Sequence, residues 1–222
     1  PIFNLFKINA KQVIKNHTSK EEKYKFAFSE LSKYLGNKVI NKIEAYDVSH
    51  ISGKNGVASC VVFTKTGSKK RNYRLFNIPS TLSGNDVGSL EHVLKRRIKY
   101  FDDKKIKPDL LLVDGGKIQL KSIYSVLDKS NHKDLKAISI VKGNKRIRAT
   151  ETIISREGIL ELDKNSKAFL ILQEIRDESH RFAITAQRKK NRKTIRKSRL
   201  DSIEGIGSIL KKRLLIKYGS IK

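Results

Sequence analysis

Residues 108–116, PDLLLVDGG, decide the fold. A short unbroken apolar run between a proline and two glycines suits a strand buried on both faces, as in parallel sheets. It ends on an acid, Asp114. After the glycines, KIQLKSIYSVLD (117–128) turns to helical spacing, with Leu120, Ile123 and Leu127 on one stripe. Upstream, NDVGSLEHVLKRRIKYF (85–101) shows the same period through Val87, Leu90, Leu94, Ile98 and Phe101, with Lys95, Arg96 and Lys99 off the stripe. Helix, strand, helix around residue 110 is the signature of crossover connections.

Further upstream the period changes to that of a meander. KIEAYDVS (42–49), GVASCVVFTK (56–65) and RNYRLFNI (71–78) predict three antiparallel strands joined through GKNG and TGSKKR. Before them, SKEEKYKFAFSELSKYLG (19–36) predicts a helix with Ser19 as cap, Glu22 three residues on and Gly36 as stop. Downstream, KAISIVKG (136–143) predicts a fifth strand and ETIISREGILEL (151–162) a short hairpin turning near Gly158. A long helix follows over 165–190, with Ala168, Ile171, Ile175, Ser179, Phe182 and Ala186 on one face. The order predicts an α/β protein, a mixed five-stranded sheet with flanking helices. A first strand lying parallel to the one that ends at Asp114 brings Asp47, in EAYDVSHISG (44–53), next to Asp114 at the carboxyl edge. Open α/β sheets bind ligands at that edge.

The boundaries expected from composition are a lead-in over 1–40, a sheet domain over 41–187, a basic linker over 188–200 and a small helical element over 201–222. The linker reading rests on Arg188–Arg199, mostly basic and without an acid. In the last element, IEGIGSILKK (203–212) brackets an isoleucine with Gly205 and Gly207 ahead of Lys211 and Lys212. Such a turn presents backbone N–H groups to a phosphate at a helix start, the helix–hairpin–helix mode of gripping DNA without reading bases.

Of 222 residues, 49 are Lys or Arg and 22 are Asp or Glu, giving a formal charge of +27. An excess of this size points to a polyanionic partner, nucleic acid above all, and is spread too widely for one membrane-binding helix. The only apolar runs fall well short of the roughly 20 residues that span a bilayer. A single Cys, Cys60, leaves no internal disulfide and fits a reducing compartment.

Acids set together in so basic a chain need a cation between them or a shared proton. Carboxylate oxygens favour Mg²⁺ or Mn²⁺, which polarise a phosphodiester and make water a better nucleophile. That chemistry is phosphodiester hydrolysis. His180, in RDESHRF (176–182), is a further candidate; His50 is a weaker one. Asp86, at the start of its helix, equally suits the helix dipole, and Asp114 equally suits an N-cap.

YDVSH (46–50), VASCVVF (57–63), YRLFNI (73–78), VDGGKIQL (113–120), IRDESHRFAI (175–184) and IEGIG (203–207) stand in the order of the C-terminal half of the UvrC family. The chain resembles that family from about residue 42 onward. UvrC is the nuclease subunit of the bacterial UvrABC nucleotide-excision repair system. The resemblance implies a ribonuclease H-like endonuclease domain that cuts the damaged strand 5′ to a lesion with Mg²⁺ or Mn²⁺, followed by helix–hairpin–helix motifs. It implies Asp47, Asp114 and His180 as catalytic and metal-binding residues and Asp86 as a further catalytic acid. DNA backbone contacts fall to Gly205, Gly207, Lys211, Lys212, Arg188 and Lys189. Partners implied are double-stranded damaged DNA, UvrB on that DNA and, indirectly, UvrA, in the cytoplasm.

Three positions depart from the family's usual pattern: Asn85 replaces the first acid of a pair, Ile118 replaces a glycine, and Gln187 replaces a histidine. The family's GIY-YIG nuclease, its UvrB-binding segment and its second hairpin are not found here. The expectation is a fragment or truncated product that binds DNA more weakly than the whole. A catalytically idle DNA-binding module and a basic RNA-associated protein are the rival readings; neither calls for the acids.

Overall fold

Strand β1 (Lys42–Ser49) is apolar enough to be covered on both faces, and it organises the rest. The structure is a computed structural model that describes residues 19–36, 38–49, 56–141, 151–195 and 203–218. Beside β1 lie β2 (Val57–Thr64), β3 (Gly67–Ser68), β4 (Arg74–Asn77), β5 (Leu110–Asp114), β6 (Lys136–Val141), β7 (Thr152–Ile154) and β8 (Ile159–Leu160). All eight join one sheet in the order β3-β2-β1-β5-β6-β7-β8, with β4 also on β2. The helices are α1 over 19–34, α2 (Asp86–Lys104), α3 (Lys117–Leu127), α4 (Lys167–Ile195) and α5 (Ser208–Tyr218). By its contacts the chain divides into two units, Pro1–Ala183 and Ile184–Lys222.

The expected meander is present: β2 runs antiparallel to both β1 and β4. The crossovers also form, with β5 parallel to β1 and β6 parallel to β5. The sheet exceeds the expected five strands because the 151–162 hairpin adds β7 and β8 to its edge and Gly67–Ser68 adds a two-residue rung. Pieces of two or three residues carry no period that a sequence pattern can reveal.

Side chains alternate across the sheet. Ile43, Ala45 and Asp47 face α1 and α4, the side on which Tyr24 of α1 meets Phe63, the ladder partner of Ile43. Glu44 and Tyr46 face α2, whose Arg97 reaches Glu44. The core is continuous through both faces and includes Phe28 and Leu31 of α1, Leu90 and Leu94 of α2, and Leu110–Leu112 of β5. Fully burying a leucine or phenylalanine contributes about 1.5–3 kcal/mol, so α1 is part of the domain's core. The sequence reading treats it as lead-in.

The second departure is in α4. It continues helical through Arg188 and Lys189 to Ile195, into the stretch read as a basic linker. Lysine and arginine are good helix formers, so a basic run without an apolar face still propagates a helix already nucleated on the sheet. In the second unit, Gly205 sits at φ +86, Ile206 N–H donates to Ile203 O at 3.2 Å, and α5 follows. Among the described residues, no helix is long and apolar enough to cross a membrane.

Candidate metal centre

The parallel ladder pairs Ile43 with Leu110, Ala45 with Leu112 and Tyr46 with Val113. One further step along the same register sets Asp47 against Asp114. Both acids therefore emerge on the α4 face at the carboxyl edge, and the alternation of the strands does the work without loop support. Asp47 is buried, at 7% exposure. Asp114 is half-buried and is followed at once by the turn into α3.

That turn brings the side chain of Gln119 back over the two glycines. Gln119 folds back so that its Oε1 accepts the Gly116 N–H at 2.6 Å. A Cβ at Gly115 would stand 2.6 Å from both Cδ and Oε1 of Gln119, so a larger residue there would have to displace that side chain from its bond to Gly116. Gly116, not Asp114, is the N-cap of α3, which removes the capping role as the reason for an acid at 114.

The third group arrives on α4. His180 Nδ1 lies 3.1 Å from Asp47 Oδ2. One ligand atom from each of Asp47, Asp114 and His180 lies within 4.8 Å of the others. Two carboxylates and an imidazole at that spacing could hold a divalent metal ion.

The neighbouring polar residues of α4 dock the helix on the sheet or pair along it. Arg176 Nη1 pairs with buried Glu151, whose second oxygen accepts Gln173 Nε2 at 2.7 Å. Arg176 Nη2 pairs with Asp177 at 2.6 Å. Glu178 accepts Tyr73 Oη at 3.1 Å and two Arg181 nitrogens at 2.7 Å each. Hydrogen bonding from Arg181 holds the Glu178 carboxyl below the usual carboxylate range, against the opposing effect of burial. Tyr24 donates to Glu174. Ser179 meets Ser59 of β2 at 3.0 Å.

On the opposite face, Glu44 is wholly buried yet charged. Arg97 grips it with Nε at 2.9 Å and Nη2 at 2.7 Å, Lys42 Nζ lies at 3.0 Å, and Tyr46 Oη donates at 2.8 Å. Burial alone would push this carboxyl up; Arg97 and then Lys42 outweigh it and hold it below its ordinary value. Burial also pushes the neighbouring Cys60 thiol up, which keeps it protonated and inert.

Of the residues expected at the site, Asp47, Asp114 and His180 come together. Asp86 is the exposed first residue of α2 and is not one of the three. Its neighbour Asn85 caps the helix, accepting the Gly88 N–H at 2.8 Å. Arg188 and Lys189 are exposed on α4, and Gly205 and Gly207 precede α5, which contains Lys211 and Lys212. His50 lies outside the described residues. Sequence reasoning missed Gln119, whose role needs the turn geometry, and Ser59, hidden inside the apolar run VASCVVF.

The family model of the UvrC RNAse H endonuclease domain matches residues 32–184. The chain is 38% identical over 216 residues to the UvrABC system protein C of Saccharophagus degradans, covering 96% of this chain and 35% of that protein. It is 41% identical over 219 residues to the protein of the same name from Desulfatibacillum aliphaticivorans, covering 96% and 36%. The chain thus spans about a third of the length of the curated relatives it matches. Among solved structures, it is similar to endonuclease V from Streptomyces avermitilis at a TM-score of 0.41 and 11% identity, covering 74% of this chain and 93% of that one. Human endonuclease V matches at a TM-score of 0.36 and 18% identity, covering 47% and 46%.

Proposed function

The chain belongs to the UvrC RNAse H endonuclease domain family, and from that premise we propose that it is the nuclease module of a nucleotide-excision repair protein. In this reading it hydrolyses a phosphodiester of the damaged DNA strand on the 5′ side of the lesion. The single observation that carries the reading is the convergence of Asp47, Asp114 and His180, with ligand atoms within 4.8 Å, at the carboxyl edge of two parallel strands.

Asp47 and Asp114 hold Mg²⁺ or Mn²⁺, the hard cations their oxygens favour. When bound, such an ion supplies Lewis-acid polarisation of the phosphodiester and acidifies water. His180, held toward Asp47 by its Nδ1, either completes the ligand set or takes the proton from the attacking water. Asp86 assists from the start of α2. Burial of Asp47 would limit the water competing with a bound cation for its oxygens.

Backbone contacts come from unit two, where Gly205, Gly207, Lys211 and Lys212 form a phosphate-facing turn and basic helix, and from Arg188 and Lys189. Such contacts position DNA without reading its sequence. Lesion choice then rests with partners: UvrB on the damaged duplex and UvrA before it, in a cytoplasmic setting that suits the single free cysteine.

The test is nicking of a lesion-bearing duplex in Mn²⁺ or Mg²⁺, with UvrB supplied, by the chain and by its Asp47→Ala variant. Cleavage confined to the unsubstituted chain is expected. Undiminished cleavage by the variant rejects the site. Salt-sensitive DNA binding without cleavage, indifferent to the metal, identifies a binding module instead.

A further inference from the structure

Ser59 is the ladder partner of Asp47 on β2 and shares its face of the sheet. It is 0% exposed, and Ser179, which it meets, is 1% exposed. Ser59 Oγ donates to the backbone oxygen of Ser179 at 3.0 Å, and the two hydroxyl oxygens are 3.0 Å apart. With Ser59 donating to the carbonyl, Ser179 donates back to Ser59, and both protons are used. Ile175 and Ala183, one turn to either side of Ser179 on α4, are also buried.

An apolar contact between a helix and a sheet tolerates sliding and small rotations, whereas a hydrogen bond fixes separation and direction within narrow limits. The residue after Ser179 is His180, one step of 1.5 Å and 100° along the same helix. Its side chain is 49% exposed, so packing restrains the ring little. Its place beside Asp47 is inherited from the backbone of α4. Other anchors of α4, Arg176 and Gln173 to Glu151, Glu174 to Tyr24 and Glu178 to Tyr73, join it to the residue before β7, to α1 and to the residue before β4. Ser59 alone of these anchors stands on the same ladder rung as one of the clustered acids.

We infer that Ser59 and Ser179 are positioning residues: their hydroxyl pair sets the height and rotation of α4 so that His180 meets Asp47 and Asp114. This rests on the reading of those three side chains as a metal centre. Ser59 acts through His180 and touches neither metal nor DNA.

The experiment is titration of the full chain with Mn²⁺ by calorimetry, without DNA, for Ser59→Ala, Ser179→Ala, the double variant, His180→Ala and Asp47→Ala. Removing support behind a ligand weakens metal binding by roughly tenfold, and that loss is expected for each serine variant. The double variant is expected to be no worse than Ser59→Ala alone, because that change already removes both hydrogen bonds, whereas Ser179→Ala leaves Ser59 on the Ser179 carbonyl. In the His180→Ala background, Ser59→Ala is expected to change nothing further. In the metal-free chain, the ¹⁵N resonance of His180 Nδ1 should move toward its solvent-exposed value in both serine variants. Where Ser59→Ala fails to fold, Ser179→Ala carries the same comparison.

Mn²⁺ binding unchanged in Asp47→Ala overturns the metal centre itself. Binding lost in Asp47→Ala but unaltered in the serine variants overturns the positioning role alone. So does a Ser59→Ala effect of equal size with and without His180.

Discussion

Strand β1 carries two buried carboxylates, Glu44 and Asp47, on opposite faces. Glu44 is surrounded by compensation: a bidentate guanidinium, an ammonium and a phenol. Asp47 is set beside a second acid and one imidazole. On the proposed reading, the difference separates an acid that holds the fold from an acid placed to hold a ligand. A guanidinium and an ammonium in direct contact mark the first, and the convergence of three ligand atoms marks the second.

The comparison breaks most visibly at Arg97. Removing one partner of a buried ion pair costs about 3–5 kcal/mol because the other charge is left uncompensated. Arg97→Ala should lower stability by that amount in urea denaturation while leaving the Mn²⁺ affinity of the folded fraction intact. A loss of metal binding at full stability would reverse the assignment of the two faces.

The mirror change is Asp47→Asn. Cleavage should fall by at least roughly 100-fold, about 2.7 kcal/mol in the barrier, measured as single-turnover nicking. Stability should hold or rise slightly, since an acid–acid contact is relieved. A large drop in melting temperature would make Asp47 a structural acid like Glu44.

Metal should distinguish the faces too. Mn²⁺ at a hundred times its dissociation constant raises stability by about 2.7 kcal/mol when it binds only the folded chain. The thermal shift should appear in the parent chain and in Glu44→Gln, and vanish in Asp114→Asn. A shift that persists in Asp114→Asn would mean that the ion sits elsewhere.

The smallest effect is with pH. Glu44 has its carboxyl held below the ordinary value by Arg97 and Lys42, against burial. Its contribution is therefore complete above the unfolded value near 4.3 and is lost as pH falls through the lower folded value. Urea midpoints should decline across that acid window, and the decline should flatten in Glu44→Gln. An unchanged slope would show that other carboxylates dominate.

Much of this was legible before any coordinates. The run at Leu110–Val113 and the meander at 42–78 gave the parallel pairing of β1 with β5, and with it the meeting of Asp47 and Asp114. His180 was reached through the family motif, since helical spacing alone places it on no apolar stripe. Arg97 was not legible: it stands within the stripe of Leu90, Val93 and Leu94, and a cation there makes sense only once Glu44 is known to point the same way. Ser59 was hidden for a similar reason, because a hydroxyl inside an apolar strand shows its purpose only through its neighbour on α4. The helical continuation of α4 to Ile195 escaped because charge density resembles a linker while helix propensity does not change.

The His180–Asp47 contact spans 133 positions along the chain, and Asp114 joins them only through a parallel pairing that needs a whole crossover to be built first. No local segment can assemble the centre by itself. A growing polypeptide therefore carries the two acids of β1 and β5 apart from their third companion until α4 has been synthesised and laid against the sheet.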